Sequence, residues 1–264
     1  MSSRLKIALV VLMLLAAGGA GALVWYMRDD DPPPVSLERA TDRSKGTNPS
    51  ADTPGDEGDR ATTRPDRGPS AEDVEGTWTV ESDAGSFSLD DTSATFVGFR
   101  VDEELTIGSA TAVGRTPLVE GTVTIEDGVV RSAVFEADLR GIRTDRPRRD
   151  PRVQEALETE RFPTARFELT EPIDLRELQV EDGEVSVVAR GEMTIHGVTK
   201  TVDFPLRAKL DQGQIVVVGS TEVVFADYGV TPPSAPIVIS VEDHGLIEVQ
   251  LRLSRQSPAV SSAG

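Results

Sequence analysis

Apolar and polar residues alternate along much of this chain, most cleanly in its last third. Ile247, Val249, Leu251 and Leu253 interleave with Glu248, Gln250 and Arg252. Val185, Val187, Met193 and Ile195 interleave with Ser186, Arg190, Glu192 and Thr194. A period of two puts successive side chains on opposite faces of a strand, one dry and one wet. The same reading predicts strands over residues 77–80, 93–101, 121–126, 129–139, 184–195, 199–210, 214–225, 237–241 and 246–253. Asp127-Gly128 and Asp182-Gly183 are strong hairpin signals, and His196-Gly197, Gln212-Gly213 and His244-Gly245 are further turns between strands. Many strands joined by short turns predict a sandwich or a closed antiparallel barrel.

One helix breaks the pattern. Asp150 suits an N-cap, Pro151 suits the first helical position, Val153, Ala156 and Leu157 form an apolar stripe, and Pro163 bars continuation. Lying between strands, this helix is expected to cross or cap one end of the barrel.

The first 73 residues read differently. Arg4 and Lys6 precede residues 7–27, a run of 21 with no charge that ends in Trp25, Tyr26 and Met27 and is followed by Asp29, Asp30 and Asp31. As a helix it spans roughly 31 Å, close to the ~30 Å of a bilayer's hydrocarbon core. Basic residues before and acidic after predict a single-pass anchor with the rest of the chain on the extracytoplasmic side of the cell membrane. The rival is a signal peptide cut at Ala20-Gly21-Ala22, against which the apolar run continues to Met27. Residues 28–73 hold seven prolines, no aromatic residue, and only Val35 and Leu37 as large apolar side chains. Such a segment buries too little to offset its ordering entropy, so it is expected to be a disordered tether with a reach of about 35–40 Å. The expected organisation is thus stub and anchor at 1–27, linker at 28–73, barrel at 74–256 and a flexible tail at 257–264.

Charge and composition narrow the function. Lys plus Arg number 27 against 45 Asp plus Glu, a formal net charge of −18, which argues against nucleic acid as a partner. There is no cysteine, so disulfides, thiolate metal sites and cysteine nucleophiles are out. The two histidines, His196 and His244, rule out a three-histidine metal site and read as polar turn residues that tolerate a positive φ. Ser220 and Ser240 lack the glycine-flanked elbow of a hydrolase, and no phosphate-cradling glycine loop exists. The basic run from Arg143 to Asp150 reads first as a loop tied down by Arg–Asp pairs, and second as a rim for an anionic head group. Neither an enzyme, a metal nor a cofactor is expected.

The interior remains. A barrel of about eight strands is just wide enough to be packed with side chains or to enclose one small ligand. The dry faces mix small residues (Ala133, Ala137, Gly191) with large ones (Phe135, Met193, Phe204). Phe96, Phe135, Phe167, Val187, Met193 and Phe204 are the candidate wall residues, with the warning that a slip of one residue flips a whole strand's set.

An ordered set of short motifs resembles the YceI-like family, in particular its membrane-anchored actinobacterial branch. The set is Gly98-Phe99-Arg100-Val101-Asp102-Glu103-Glu104-Leu105, Ala112-Val113-Gly114-Arg115-Thr116, Arg149-Asp150, Phe162-Pro163-Thr164-Ala165-Arg166-Phe167, the hairpin Gly191-Glu192-Met193-Thr194-Ile195-His196-Gly197-Val198-Thr199-Lys200, Phe225-Ala226-Asp227-Tyr228-Gly229-Val230-Thr231-Pro232-Pro233-Ser234, and Val241-Glu242-Asp243-His244-Gly245. The resemblance implies a lipocalin-like antiparallel barrel with a hydrophobic channel for polyisoprenoid or fatty-acid-like chains. It implies no catalytic residue. Gly98-Phe99-Arg100 departs from relatives that carry a histidine in that strand. The expected partners are a long-chain apolar lipid and, through the N-terminal helix, the membrane; the sequence leaves a homodimer open. The alternative is a structural or interaction barrel with a packed interior.

Overall fold

The computed structural model describes residues 32–42, 71–82, 87–91, 93–106, 108–233 and 238–256. The anchor at 7–27, most of the linker and the tail lie outside the described residues. Among the described residues no helix is long and apolar enough to cross a membrane.

Among the described residues fourteen strands form one antiparallel sheet: β1 (Gly76–Val80), β2 (Phe96–Leu105), β3 (Gly108–Thr116), β4 (Val119–Glu126), β5 (Val129–Asp138), β6 (Arg143–Thr144), β7 (Thr164–Leu169), β8 (Ile173–Asp174), β9 (Val180–Glu181), β10 (Glu184–Ile195), β11 (Val198–Asp211), β12 (Gln214–Val224), β13 (Val238–Val241) and β14 (His244–Arg255). The order β1-β4-β5-β7-β10-β11-β12-β14 closes on itself through β1–β14 pairing, which makes an eight-stranded barrel. The seam is shared. The C-terminal half of β14 pairs with β1 (Leu253 opposite Val80), and its N-terminal half pairs with β2 (Leu246 opposite Arg100), which carries β3 and β6 beside it.

The turns are as their residues dictate. Asp127-Gly128, Asp182-Gly183, His196-Gly197 and Gln212-Gly213 each hold two consecutive residues at positive φ, the backbone of a two-residue hairpin that matches strand twist. His244 differs: it opens β14 rather than occupying a left-handed turn position. Strands β3 and β7 are not among the expected strands, although β7 alternates, with Ala165, Phe167 and Leu169 inward. In β3 small residues blunt the dry face, and β7 is a short Thr-Ala-Arg-Phe-Glu-Leu run that pairs with β5 and β10.

The expected helix is α2 (Asp150–Ala156), following α1 (Leu37–Thr41) in the chain. Pro151 sits in its first turn, but Asp150 does not cap it. The Asp150 carboxylate instead accepts from the Thr144 backbone N–H at 2.8 Å and the Thr144 hydroxyl at 2.6 Å, fixing the loop that leads in. Val153 packs on Leu139 and Ile142, so α2 closes over one end of the barrel.

Helix α1 departs from the expected linker. Pro32 to Asp42 lies along the outside of the barrel within the same compact unit. Leu37 and Ala40 are fully buried against Val216 and Val218, two residues that alternation points outward from β12. Burying the one leucine contributes about 1.5–3 kcal/mol. Composition missed this because a single leucine and a set of backbone carbonyls suffice when a groove stands ready to receive them.

Candidate ligand-binding site

The inward residues of the strands do not fill the barrel. They surround a cavity of about 380 Å³, in the range of small-molecule pockets of roughly 300–1,000 Å³. Its wall is built by the period of two: Ile247, Val249, Leu251 and Leu253 from β14, Phe204, Leu206, Ala208 and Leu210 from β11, Val185, Val187, Ala189, Met193 and Ile195 from β10, and Ala133, Phe135 and Ala137 from β5. The lining reaches from Val180, Gly183 and Lys209 at one end to Arg149, Val153, Pro232 and Val241 at the other. A packed interior is therefore not what the chain forms.

Glycines explain how bulky rings leave a lumen open. A Cβ on Gly191 would lie 2.5 Å from the Phe167 ring and 2.5 Å from the Glu168 carbonyl oxygen. Gly121 is covered in the same way by Phe135, and Gly114 by Phe99. Each of these inward rings lies down on a glycine of the neighbouring strand instead of projecting across the barrel, an arrangement only a residue without Cβ allows.

Few charges touch the lining: Glu136 and Arg166 on β5 and β7, and the rest towards the ends. Beside α2, Arg149 holds Asp145 at 2.6 Å and Glu103 at 2.8 Å. Asp145 also accepts the Val113 backbone N–H at 3.0 Å, so the basic run is a loop tied down by its own carboxylates. At the far end Lys209 lies 3.8 Å from Glu184. Tyr228, buried near the α2 end, has its phenol pushed up by desolvation, with Asp227 adding to the shift.

Of the six candidate wall residues, Phe135, Phe167, Val187, Met193 and Phe204 line the cavity together, with Phe167 and Phe204 edge to face at 6.2 Å. Phe96 does not. It pairs with Gln250 on the outer face of β14, where it is buried beneath the Arg115 guanidinium at 4.1 Å and against Phe87. In β2 the inward set is Val97, Phe99 and Val101. The strand begins Phe-Val-Gly-Phe, apolar at both parities, so its own pattern could not reveal the register. Phe99 is the inward ring that reading overlooked. Ala189 was overlooked as well, although it shares the parity of Val187 and Met193.

The histidines take structural positions. His196 stands at φ +53°, with Nδ1 3.1 Å from the Tyr228 carbonyl oxygen, Nε2 3.2 Å from Glu158 and the ring edge-on to Phe162. It clamps the β10–β11 turn to two neighbouring segments. His244 accompanies Glu242 and Asp243, their ligating atoms within 4.8 Å of one another, at the start of β14 and away from the cavity lining. Its hydrogen bond to Asp243 raises its pKa.

Residues 87–253 match the family model of the YceI-like domain. The chain belongs to the YceI-like family. A polyisoprenoid-binding domain from Saccharophagus degradans, implicated in plant cell wall breakdown, superposes with a TM-score of 0.51 at 17% identity, over 68% of this chain and 98% of that one. Burkholderia cenocepacia BcnA gives 0.48 at 14%, over 65% and 99%, and the YceI protein of Campylobacter jejuni gives 0.44 at 11%, over 55% and 85%. Among curated proteins none matches significantly. At these identities the solved structures speak to the fold alone.

Proposed function

We propose that this protein holds a long apolar molecule, a polyisoprenoid or a fatty-acid-like lipid, in its barrel, and does so tethered to the cell membrane on the extracytoplasmic side by residues 7–27. The observation that carries the reading is the cavity, a predominantly apolar lumen that reaches towards both ends of the barrel. A linear chain gains about 0.8 kcal/mol per buried methylene, so a long tail is a sufficient source of affinity without directional contacts in the wall. A polar head group fits at an end, where Arg149 or Lys209 stands. The likeness to the Saccharophagus domain supports an isoprenoid as the ligand class. Binding rather than catalysis is supported by the polar groups of the lining. Arg149 and Glu103 are ion-paired to each other, and the Thr116 hydroxyl donates to the Asp138 carbonyl. The tether is supported by the uncharged 21-residue run between Arg4/Lys6 and Asp29–Asp31.

The test is native mass spectrometry with lipid extraction on the protein purified from its own host. A co-purifying isoprenoid or acyl lipid is the expected result. A folded protein that carries none, and takes up neither a fluorescent isoprenoid nor a fluorescent fatty acid, removes the binding reading. Protease added to intact cells should release the barrel, and an untouched full-length protein removes the topology.

A further inference from the structure

The outer face of the barrel carries a buried polar cluster that the lumen does not use. Glu248 and Arg115 are 1% and 2% exposed although both point away from the cavity. Arg100 Nε binds Glu248 at 2.9 Å, and Arg115 lies 3.5 Å from the other Glu248 oxygen. Two guanidinium groups face one carboxylate, Arg115 also donates to the Leu89 carbonyl at 2.8 Å, and the segment beginning at Pro32 supplies further partners. The Pro32 carbonyl accepts from Arg100, the Pro33 carbonyl accepts from Arg115 at 2.7 Å, and the Val35 N–H donates to Glu248 at 3.2 Å. Further along, the Ala40 carbonyl accepts from Arg252, Glu38 meets Arg207 at 2.8 Å, and Leu37 is sealed over Val216 and Val218. Ser36 caps α1 by accepting the Arg39 N–H. Backbone, ionic and apolar contacts thus fasten eleven consecutive residues to the wall, adding partners to buried charges that the barrel itself only partly satisfies.

This changes the length of the tether. The expected linker of 46 residues would let the barrel roam about 35–40 Å. With the segment 32–42 fastened, only residues 28–31 separate the end of the uncharged run at Met27 from the first fastened residue. The five Cα–Cα steps from Met27 to Pro32 span at most about 18 Å. Asp42 and Ala71 both belong to the barrel's own compact unit, so the chain between them adds nothing to the reach. The segment also enters beside Arg100 and Glu248, towards the α2 end of the strands, and runs from there to the level of Arg252.

We infer that the Pro32–Asp42 strap shortens the tether to a leash, leaving residues 28–31 as the only free chain between the proposed anchor and the barrel. This rests on the proposed membrane anchoring and deepens it. A barrel held at that distance exchanges a lipid with the membrane without a free excursion through solvent.

The test uses the full chain reconstituted in vesicles of zwitterionic lipid carrying a dilute acceptor dye. The protein has no cysteine, so an Arg148→Cys substitution at an exposed position accepts one donor dye and no other residue competes. A flexible Gly/Ser stretch of about twenty residues inserted between Asp31 and Pro32 lengthens the leash to a coil of roughly 25–30 Å. The same stretch inserted between Ser50 and Ala51 lies off the path from the anchor to the barrel, since Asp42 and Ala71 belong to one unit. The expected result is a clear fall in energy transfer for the first insertion and unchanged transfer for the second. Equal falls for both, or none for either, overturn the leash. A second measurement guards the reading against misfolded variants: in the unaltered chain, amides from Val35 to Thr41 should exchange hydrogen slowly, and exchange at the rate of free peptide overturns it. If alkaline carbonate washes the chain from native membranes, the anchoring reading fails and the leash with it. Retention in the membrane with transfer insensitive to both insertions defeats the leash alone.

Discussion

Ala189 offers a direct way to block the proposed lumen. It faces the cavity near the middle of β10, opposite Phe204 on β11, while its neighbour Val188 points outward and is 59% exposed. In an Ala189→Trp variant the indole has nowhere to go but the lumen. If it takes the room of four to five methylenes, at about 0.8 kcal/mol each, a chain-like ligand loses about 3–4 kcal/mol. That is a rise in Kd of roughly 200- to 700-fold. The same tryptophan costs about 1–3 kcal/mol of fold stability from overpacking, partly offset by the void it fills. The control is Val188→Trp, which puts the identical side chain one residue away on the outer face and should leave binding unchanged. The assay is the amount of lipid carried by each protein from its host, followed by titration of the delipidated protein with a fluorescent fatty acid and a fluorescent isoprenoid, with a thermal melt to establish folding. Normal loading of folded Ala189→Trp, or equal loss in Val188→Trp, would refute the assignment of the lumen as the binding site.

Three further outcomes are expected. Gly191→Ala should lower the melting temperature and the lipid load together, because the new methyl meets both the Glu168 carbonyl, which cannot give, and the Phe167 ring, which can only swing into the lumen; a stable, fully loaded variant would contradict this. Arg149→Met strips Glu103 and Asp145 of their shared partner and should cost about 1–3 kcal/mol at neutral pH, read by denaturant unfolding, with Arg149→Lys restoring only part because it cannot reach both carboxylates in the same fork. The strap should loosen in acid. Arg207 foremost, and Ser36, lower the Glu38 pKa from 4.5 to about 2, so its contribution is present above 4.5 and is lost as pH falls through about 2. Exchange across residues 35–41, corrected for the intrinsic rate, should therefore rise in that window in the wild type but not in Glu38→Gln, and the effect should be small because the pair is exposed.

Much of the barrel follows from the chain read alone. Alternation on β10, β11, β12 and β14 settles which residues are dry, and the Xaa-Gly pairs settle where hairpins turn, because both are local consequences of pleat and backbone sterics. Five of the six candidate wall residues line one cavity for the same reason. Phe96 fell to the other face because β2 is apolar at both parities, and only its pairing with β14 decides which parity is inside. Whether the inward residues would pack or leave a lumen was also beyond local pattern. It depends on which strand brings a glycine beside which ring, as Gly191 does for Phe167 and Gly121 for Phe135, and that is a property of register. The strap is the deepest case. Pro32 to Asp42 has a linker's composition, and the groove that holds it is assembled from Arg100, Arg115, Val216, Val218, Glu248 and Arg252, residues far away in sequence. A segment's own residues set what it can bury, but the burial it achieves is set by the surface that the rest of the fold presents to it.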